Sequence, residues 1–280
     1  MTDQKQQEQQ KQAQAAGRAQ QQHLTSAERQ MVEERGAVQD DGKKEKRPKI
    51  RIDLHCHTEA SPDCITPLET FPEQLRAAGI RVQAITDHNV IWGAQELQQI
   101  VSGQQNGNYQ DYPLTIIVGE EISTTEGELI GLFLNEPIPG GLTPEETVEQ
   151  INQQGGLVLL PHGFDPLKRF RLQPAALERI ADSVDIVETF NARVSRPKWN
   201  QAAVEWSKAN DLPMSAGSDA HRLADVGTAW VEVDAPIERI QTPEDLLKVL
   251  GAGVPEGKWT HPLLAYFQKA WYRMRQKLPI

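Results

Sequence analysis

From Ile50 onward, short apolar runs alternate with amphipathic stretches. The runs Ile50–His55, Val82–Thr86, Leu114–Ile122, Glu128–Leu134, Leu157–Pro161, Ser183–Phe190, Pro213–Ala216 and Ala229–Val233 are rich in Val, Ile and Leu. Most lack strict alternation, as expected of strands buried on both faces. Helix patterns lie between them. Thr66–Ala78 has Pro67 near its start and Gly79 past its end, and Thr143–Gln154 opens on Thr-Pro-Glu-Glu and closes on Gly155-Gly156. These are start and stop signals for helices. Pro174–Ala181, Lys198–Asn210 and Thr242–Leu250 complete the set. Strand–helix–strand alternation repeated about seven times predicts a parallel α/β sheet wound into a barrel. The first strand leads into Asp-Leu-His-Cys-His rather than a glycine-rich turn, which speaks against an open nucleotide-binding sheet.

The two ends of the chain read differently. Residues 1–48 hold 12 Gln and almost no bulky apolar side chains. Such a segment buries too little surface to offset its ordering entropy, so a disordered tail is expected, at most with a solvated helix through Ser26–Arg35. Domain boundaries are expected at 1–48, 49–256 and 257–280. In the last piece Leu263, Phe267, Trp271, Met274 and Leu278 form one apolar stripe at helical spacing. Lys258, Lys269, Arg273, Arg275 and Lys277 make it basic. A C-terminal amphipathic helix packed on the barrel is expected there, with docking to a membrane surface or a protein partner as the sharper alternative.

Charge and cysteine content narrow the function. The 280 residues carry 29 Lys+Arg against 39 Asp+Glu, a net charge of −10. A dedicated duplex-DNA reader needs a broad basic surface and is disfavoured, whereas a small phosphorylated substrate needs only a local positive site. No run is long and apolar enough for a transmembrane helix, and the N-terminus lacks the apolar core of a secretory signal. With only Cys56 and Cys64, no disulfide framework forms, and a cytoplasmic location is expected.

The chemistry concentrates at strand ends. His55 and His57 close the first strand, His88 follows the second, His162 follows Leu157–Pro161, and His221 follows Pro213–Ala216. Asp63, Glu120, Glu121 and Asp219 accompany them, whereas His23 lies in the tail and His261 outside the pattern. In a parallel barrel these ends converge on one face. Residues two apart on an extended strand share a side, so His55 and His57 can face one ion while Cys56 turns into the wall; Asp219 and His221 repeat the spacing. Imidazole and carboxylate together suit Zn²⁺, Mn²⁺ or Fe²⁺, with Mg²⁺ also compatible.

Asp53-Leu-His-Cys-His-Thr-Glu-Ala-Ser-Pro-Asp63, Ile85-Thr-Asp-His88-Asn, Gly119-Glu-Glu121-Ile-Ser, Leu160-Pro-His162-Gly-Phe-Asp165 and Gly217-Ser-Asp219-Ala-His221 occur in this order over about residues 50–235. The set resembles the PHP (polymerase and histidinol phosphatase) family. The resemblance implies a distorted seven-stranded (β/α) barrel and a metal-dependent phosphoesterase with two or three divalent ions. It implies that His55, His57, Glu121 and Asp219 hold a first ion. Glu121, chosen over Glu120 for the Gly-x-Glu pattern, bridges to a second ion that His162 also binds, and Asp63, His88 and His221 make a third site. Many members add a His on the strand after the bridging Glu; here Glu126–Leu132 reads EGELIGL, leaving Glu128 or Asn191 as weaker substitutes.

A metal-bridging hydroxide attacking phosphorus is the implied mechanism, with Asp219, His221 and Arg193 as catalytic residues and a water or a His near the third ion supplying a proton. Phosphate clamps are expected among Arg193 first, then Arg169, Arg171 and Arg222. Asp53 and Asp87 are expected to orient His ligands. A small phosphomonoester, including a nucleotide, is the expected substrate. The alternatives are an exonuclease acting on short nucleic acid, a polymerase-associated module, a noncatalytic metal-binding scaffold and an amidohydrolase barrel.

Overall fold

A computed structural model describes residues 49–105, 112–237 and 240–261. The expectations for residues 1–48 and for the apolar stripe 263–278 lie outside the described residues. Within them the strands are β1 (Ile50–Asp53), β2 (Ile80–Ile85), β3 (Thr115–Thr124), β4 (Gly127–Leu132), β5 (Leu157–Leu160), β6 (Ile186–Asn191), β7 (Met214–Gly217), β8 (Ala229–Val233) and β9 (Val254–Gly257). The helices are α1 (Phe71–Ala78), α2 (Trp92–Gln105), α3 (Pro144–Gln153), α4 (Pro174–Ile180), α5 (Lys198–Ala209) and α6 (Pro243–Leu250).

The strands join in one sheet, in the order β7-β6-β5-β4-β3-β2-β1-β8-β9. Beyond β1 the chain stays extended: Leu54 N donates to Ala216 O at 3.0 Å, Asp219 N to His55 O at 2.8 Å, and His57 N to Ala220 O at 3.1 Å. These bonds join the end of β1 to the end of β7 and curl β1–β7 into a nearly closed barrel. Both faces of the sheet are apolar. Ile116, Val118, Leu129, Val158, Leu160 and Val187 pack with helix residues such as Leu75, Leu97, Ile151 and Leu177. Ile52, Leu54, Ile117, Ile130, Leu159 and Ile186 belong to a second core with Leu246 and Leu250 of α6.

The all-parallel expectation needs correction. β4 runs antiparallel to both β3 and β5, β8 antiparallel to β1, and β9 antiparallel to β8. Only Thr125 and Glu126 separate β3 from β4, and a parallel crossover needs a dozen or more residues. Two elements, α2 and β9, have no counterpart in the sequence reading. α2 is Gln-rich and carries Gly93 and Gly103, but Ala94, Leu97 and Val101 bury its inner face at helical spacing. Gly93 is required by close approach, since a Cβ there would lie 2.5 Å from Asp87 Oδ2 and 2.6 Å from Thr58 Oγ1. The start of α3 follows its sequence signals: Thr143 Oγ1 accepts from Glu146 N, and Glu146 accepts from Thr143 N in return.

Candidate metal centre

The barrel mouth collects the predicted side chains. The extended segment after β1 sends His55 and His57 inward and Cys56 into the outer core. His88 follows β2, Glu121 sits on β3, His162 follows β5, and Asp219 and His221 follow β7. Glu121 enters the cluster, whereas Glu120 turns away and accepts a hydrogen bond from Ile138 N. His162 and Asp219 hold left-handed backbone, at φ 31° and 49°. Such non-glycine conformations cost about 1–3 kcal/mol and gather where function requires them.

Most of the donor atoms lie at the separations an ion imposes on its ligands. His55 Nε2 is 3.2 Å from His57 Nε2 and 3.3 Å from Glu121 Oε2; His57 Nε2 is 3.6 Å from Asp219 Oδ1. On its other side Glu121 Oε1 lies 3.0 Å from His162 Nε2, and Oε2 lies 3.4 Å from His88 Nδ1. At the rim Asp63 Oδ2 is 3.0 Å from His221 Nε2, and Oδ1 is 3.8 Å from His88 Nε2. With bonds near ~2.1 Å, neighbouring ligands of one ion stand about 3.0–3.4 Å apart. The donor set therefore fits divalent ions. Candidate groups are His55, His57 and Asp219; His55, Glu121 and His162; His88, Glu121 and Glu128; and His57, His88 and His221.

Residues 53–170 match the PHP domain, and residues 197–255 match the PHP-associated domain. Two uncharacterized proteins of Methanocaldococcus jannaschii are 40% and 33% identical to this chain over 154 and 200 residues. The alignments cover 51% and 70% of this chain and 82% and 75% of those proteins. The chain belongs to the PHP family. Its fold also resembles a Bacteroides vulgatus two-domain protein containing a predicted PHP-like metal-dependent phosphoesterase. The TM-score is 0.57 at 14% identity, over 80% of this chain and 71% of that one. The PHP match contains His55, His57, Asp63, His88, Glu121 and His162, and the PHP-associated match contains Asp219 and His221.

Burial and mutual charge set the protonation of the PHP cluster. Burial alone would lower the His57 imidazole, but Asp219 and Glu121 outweigh it and raise it to about 9. Burial disfavours the ionised Asp219 carboxylate, yet Lys168, Arg193 and His55 hold it well below its usual range. For Glu128 burial, then the charge of Glu121, outweigh the opposing charges of Lys168 and His55 and push its carboxyl up to about 9. His221 is lowered to about 4 by burial and then by His57 and Arg193.

The side chains that fix the histidines differ from those expected. Asp53 accepts from the backbone N–H groups of His55 and Ser218, and Asp87 from Thr58 N and Oγ1. Both brace backbone rather than imidazole. The His55 ring is held by Glu188, Nδ1 to Oε1 at 3.0 Å, and the His57 ring by Ser61 Oγ at 3.2 Å. Asn191 Nδ2 donates to Glu188 at 3.1 Å and to Asp219 at 3.3 Å. The sequence reading missed Glu188, although an acid inside the apolar run Val-Asp-Ile-Val-Glu-Thr-Phe was a usable signal. Gly217 makes room for it: a Cβ there would lie 2.0 Å from Glu188 Oε1 and 2.4 Å from His55 Cβ.

A cleft of about 420 Å³ opens over the cluster, with Lys168, Arg169, Phe170 and Arg193 in its lining. Arg193 NH1 donates to Asp219 O at 2.9 Å and also contacts His221 Nδ1. Asp165 pins this wall, accepting from Ser195 Oγ at 2.7 Å and from Leu167 N at 3.0 Å. Arg171 and Arg222 are not in the lining; Arg222 is paired with Asp225 instead, Nε to Oδ2 at 2.9 Å. Lys168 was absent from the predicted clamps, yet its ammonium contacts Asp219. A lysine in a loop carries no sequence signal that distinguishes it from a solvated one.

Proposed function

We propose that this chain is a metal-dependent hydrolase of phosphoester bonds whose substrate is a small phosphomonoester. The observation that carries this reading is the juxtaposition of a His/Asp/Glu donor cluster with Arg193, Lys168 and Arg169 in one cleft of about 420 Å³. That volume suits a small ligand. Membership of the PHP family supports the reaction class.

His55, His57, Glu121 and Asp219 would hold one ion, Glu121 and His162 a second, and Asp63, His88 and His221 a third. Bound divalent ions supply Lewis acidity toward a phosphoryl oxygen and an attacking water. The cationic side chains do the rest of the binding. Arg193 presents a guanidinium whose planar fork matches phosphate oxygens, and Lys168 and Arg169 add charge from the neighbouring loop. Glu188 and Ser61 keep the His55 and His57 rings aimed into the cluster.

The test is a panel of phosphomonoesters and short oligonucleotides offered to metal-loaded full chain, with release of inorganic phosphate or shortened strands measured. Turnover of a phosphomonoester that disappears in His57→Ala supports the reading. Turnover of oligonucleotides alone replaces it with a nuclease. His57→Ala should also lose about one bound ion or more by elemental analysis, with an unchanged far-UV circular dichroism spectrum, because it deletes a donor rather than core packing.

A further inference from the structure

The cleft over the cluster has two unlike sides. Arg193, after β6, stands with Asp219 and His221, after β7. Three strands round the sheet from β6, Ser123 on β3 and Asn89 after β2 line the cleft together with Phe170. These three side chains carry no charge, and they are contiguous. Ser123 N donates to Asn89 Oδ1 at 2.9 Å, and Asn89 Nδ2 donates to Ser123 Oγ at 3.2 Å. Ser123 pairs with Glu128 across β3 and β4, and Glu128 N donates to Phe170 O at 2.7 Å. That bond fixes the Phe170 backbone beside the mouth.

Single exposed apolar residues are ordinary, but here their placement is not scattered. Among the described residues five large apolar side chains are exposed, and four of them, Ile65, Trp92, Leu167 and Phe170, lie in the segments that follow β1, β2 and β5. Those segments leave the strand ends that form the mouth. Phe170 also lines the cleft, where it is 54% exposed. The Arg169 guanidinium carbon stands 5.0 Å from its ring centroid and steadies the ring. Beside it, Asn89 keeps a second amide N–H, and Ser123, whose oxygen accepts from Asn89, keeps its own O–H to donate. A held aromatic ring next to such donors suits a planar ring with polar edges, stacked on its face and hydrogen-bonded at its rim.

We propose that Phe170, Asn89 and Ser123 form a subsite for a heteroaromatic leaving group, and that the substrate is a nucleoside monophosphate. The base stacks on Phe170 with its edge toward Asn89 and Ser123, while the phosphate faces the metal donors and Arg193. Hydrolysis breaks the P–O ester bond, gives the oxygen of water to phosphorus and returns a proton to the nucleoside oxygen. This rests on the phosphomonoester reading of the cleft and deepens it by naming the leaving group.

Two measurements on the full chain test it. The first compares adenosine 5′-monophosphate with ribose 5-phosphate on metal-loaded protein. Both esters lose the same primary oxygen and differ in the base, so their kcat/KM ratio reads the ring. Wild type should favour the nucleotide by about ten-fold, as stacking on one aromatic ring provides. The preference should collapse toward parity in Phe170→Ala and return in Phe170→Tyr, with turnover of ribose 5-phosphate unchanged. The second measurement is calorimetric binding of adenosine to chelator-treated protein, which needs neither metal nor turnover. Phe170→Ala should bind adenosine about ten-fold more weakly than wild type. Its melting temperature should match wild type, because the residue is exposed and the carbonyl that Glu128 uses is kept. Equal kcat/KM on the two esters in wild type, or wild-type adenosine binding in Phe170→Ala, overturns the subsite and leaves the phosphomonoester reading standing. If no phosphomonoester is turned over, that reading falls and the calorimetry alone decides the subsite. Absence of adenosine binding to wild type then overturns both.

Discussion

Arg193 sits between the anionic cluster and the solvent side of the cleft, bonded to the Asp219 carbonyl and touching His221. A guanidinium fixed there can grip an incoming phosphate while compensating Asp219. Arg193→Ala should lower kcat/KM on the best phosphoester by roughly 10²-fold, about 2.7 kcal/mol of transition-state binding. Arg193→Lys should recover part of it, since a point charge lacks the fork. Metal content should stay at the wild-type value, because arginine does not ligate; wild-type kcat/KM in Arg193→Ala would pass the clamp role to Lys168 and Arg169. At this scale the motif residues were legible because each ends a strand pattern with a chemically distinctive side chain. Glu188 was missed because it lies inside a strand, and Lys168 because it lies in a loop. Neither position advertises a partner that folding brings from 133 or 51 residues away.

The elements hold the site by tight local fits. The end of β7 carries Gly217, over which Glu188 reaches the His55 ring. Gly217→Ala should force that pair apart and destabilise the fold by about 1–3 kcal/mol, with metal affinity falling alongside melting temperature. A chain that melts and binds metal like wild type would show that the Glu188–His55 pair tolerates the displacement. Just before β6, Asp185 accepts from Val158 N at 2.8 Å, and burial raises its carboxyl above the ordinary 3.8 despite that bond. The folded chain thus holds this proton more tightly than the unfolded one. The resulting stability is complete below pH 3.8 and is lost as pH rises through the folded value. The melting-temperature advantage of wild type over Asp185→Asn should shrink as pH is raised from 3.5 to 7; an advantage that grows would reverse the sign of the shift. The reversal of β4 belongs to this scale too. A two-residue link forbids the parallel crossover, and it turns the N-terminal end of β4, with Glu128, toward the mouth.

At the scale of the molecule, both apolar cores and every residue assigned to the cluster lie between Ile50 and Gly257. A chain beginning at Arg47 should melt within ~2 °C of the full chain and bind the same number of ions. A larger fall would mean that the Gln-rich segment stabilises the barrel. No helix among the described residues is long and apolar enough to cross a membrane. The net charge of −10 coexists with three cationic side chains, Lys168, Arg169 and Arg193, in the lining of the cleft. What the sequence determined by itself was the alternation of buried strands and helices and the identity of the strand-end donors. Both are written in local order: apolar runs specify strands buried on two faces, and motif spacing of two puts donors on one side. What only the tertiary structure decided was direction and neighbourhood. Strand polarity follows from link length and sheet closure, which put Glu128 at the mouth. The contacts of His55 with Ser218 and Asp219 follow from the joining of the β1 and β7 ends, a contact spanning more than 160 residues of chain, and those of Arg193 with Asp219 and His221 from the pairing of β6 with β7. Short-range patterning carries no information about such a closure, because it is set by how the whole sheet curls over its two cores.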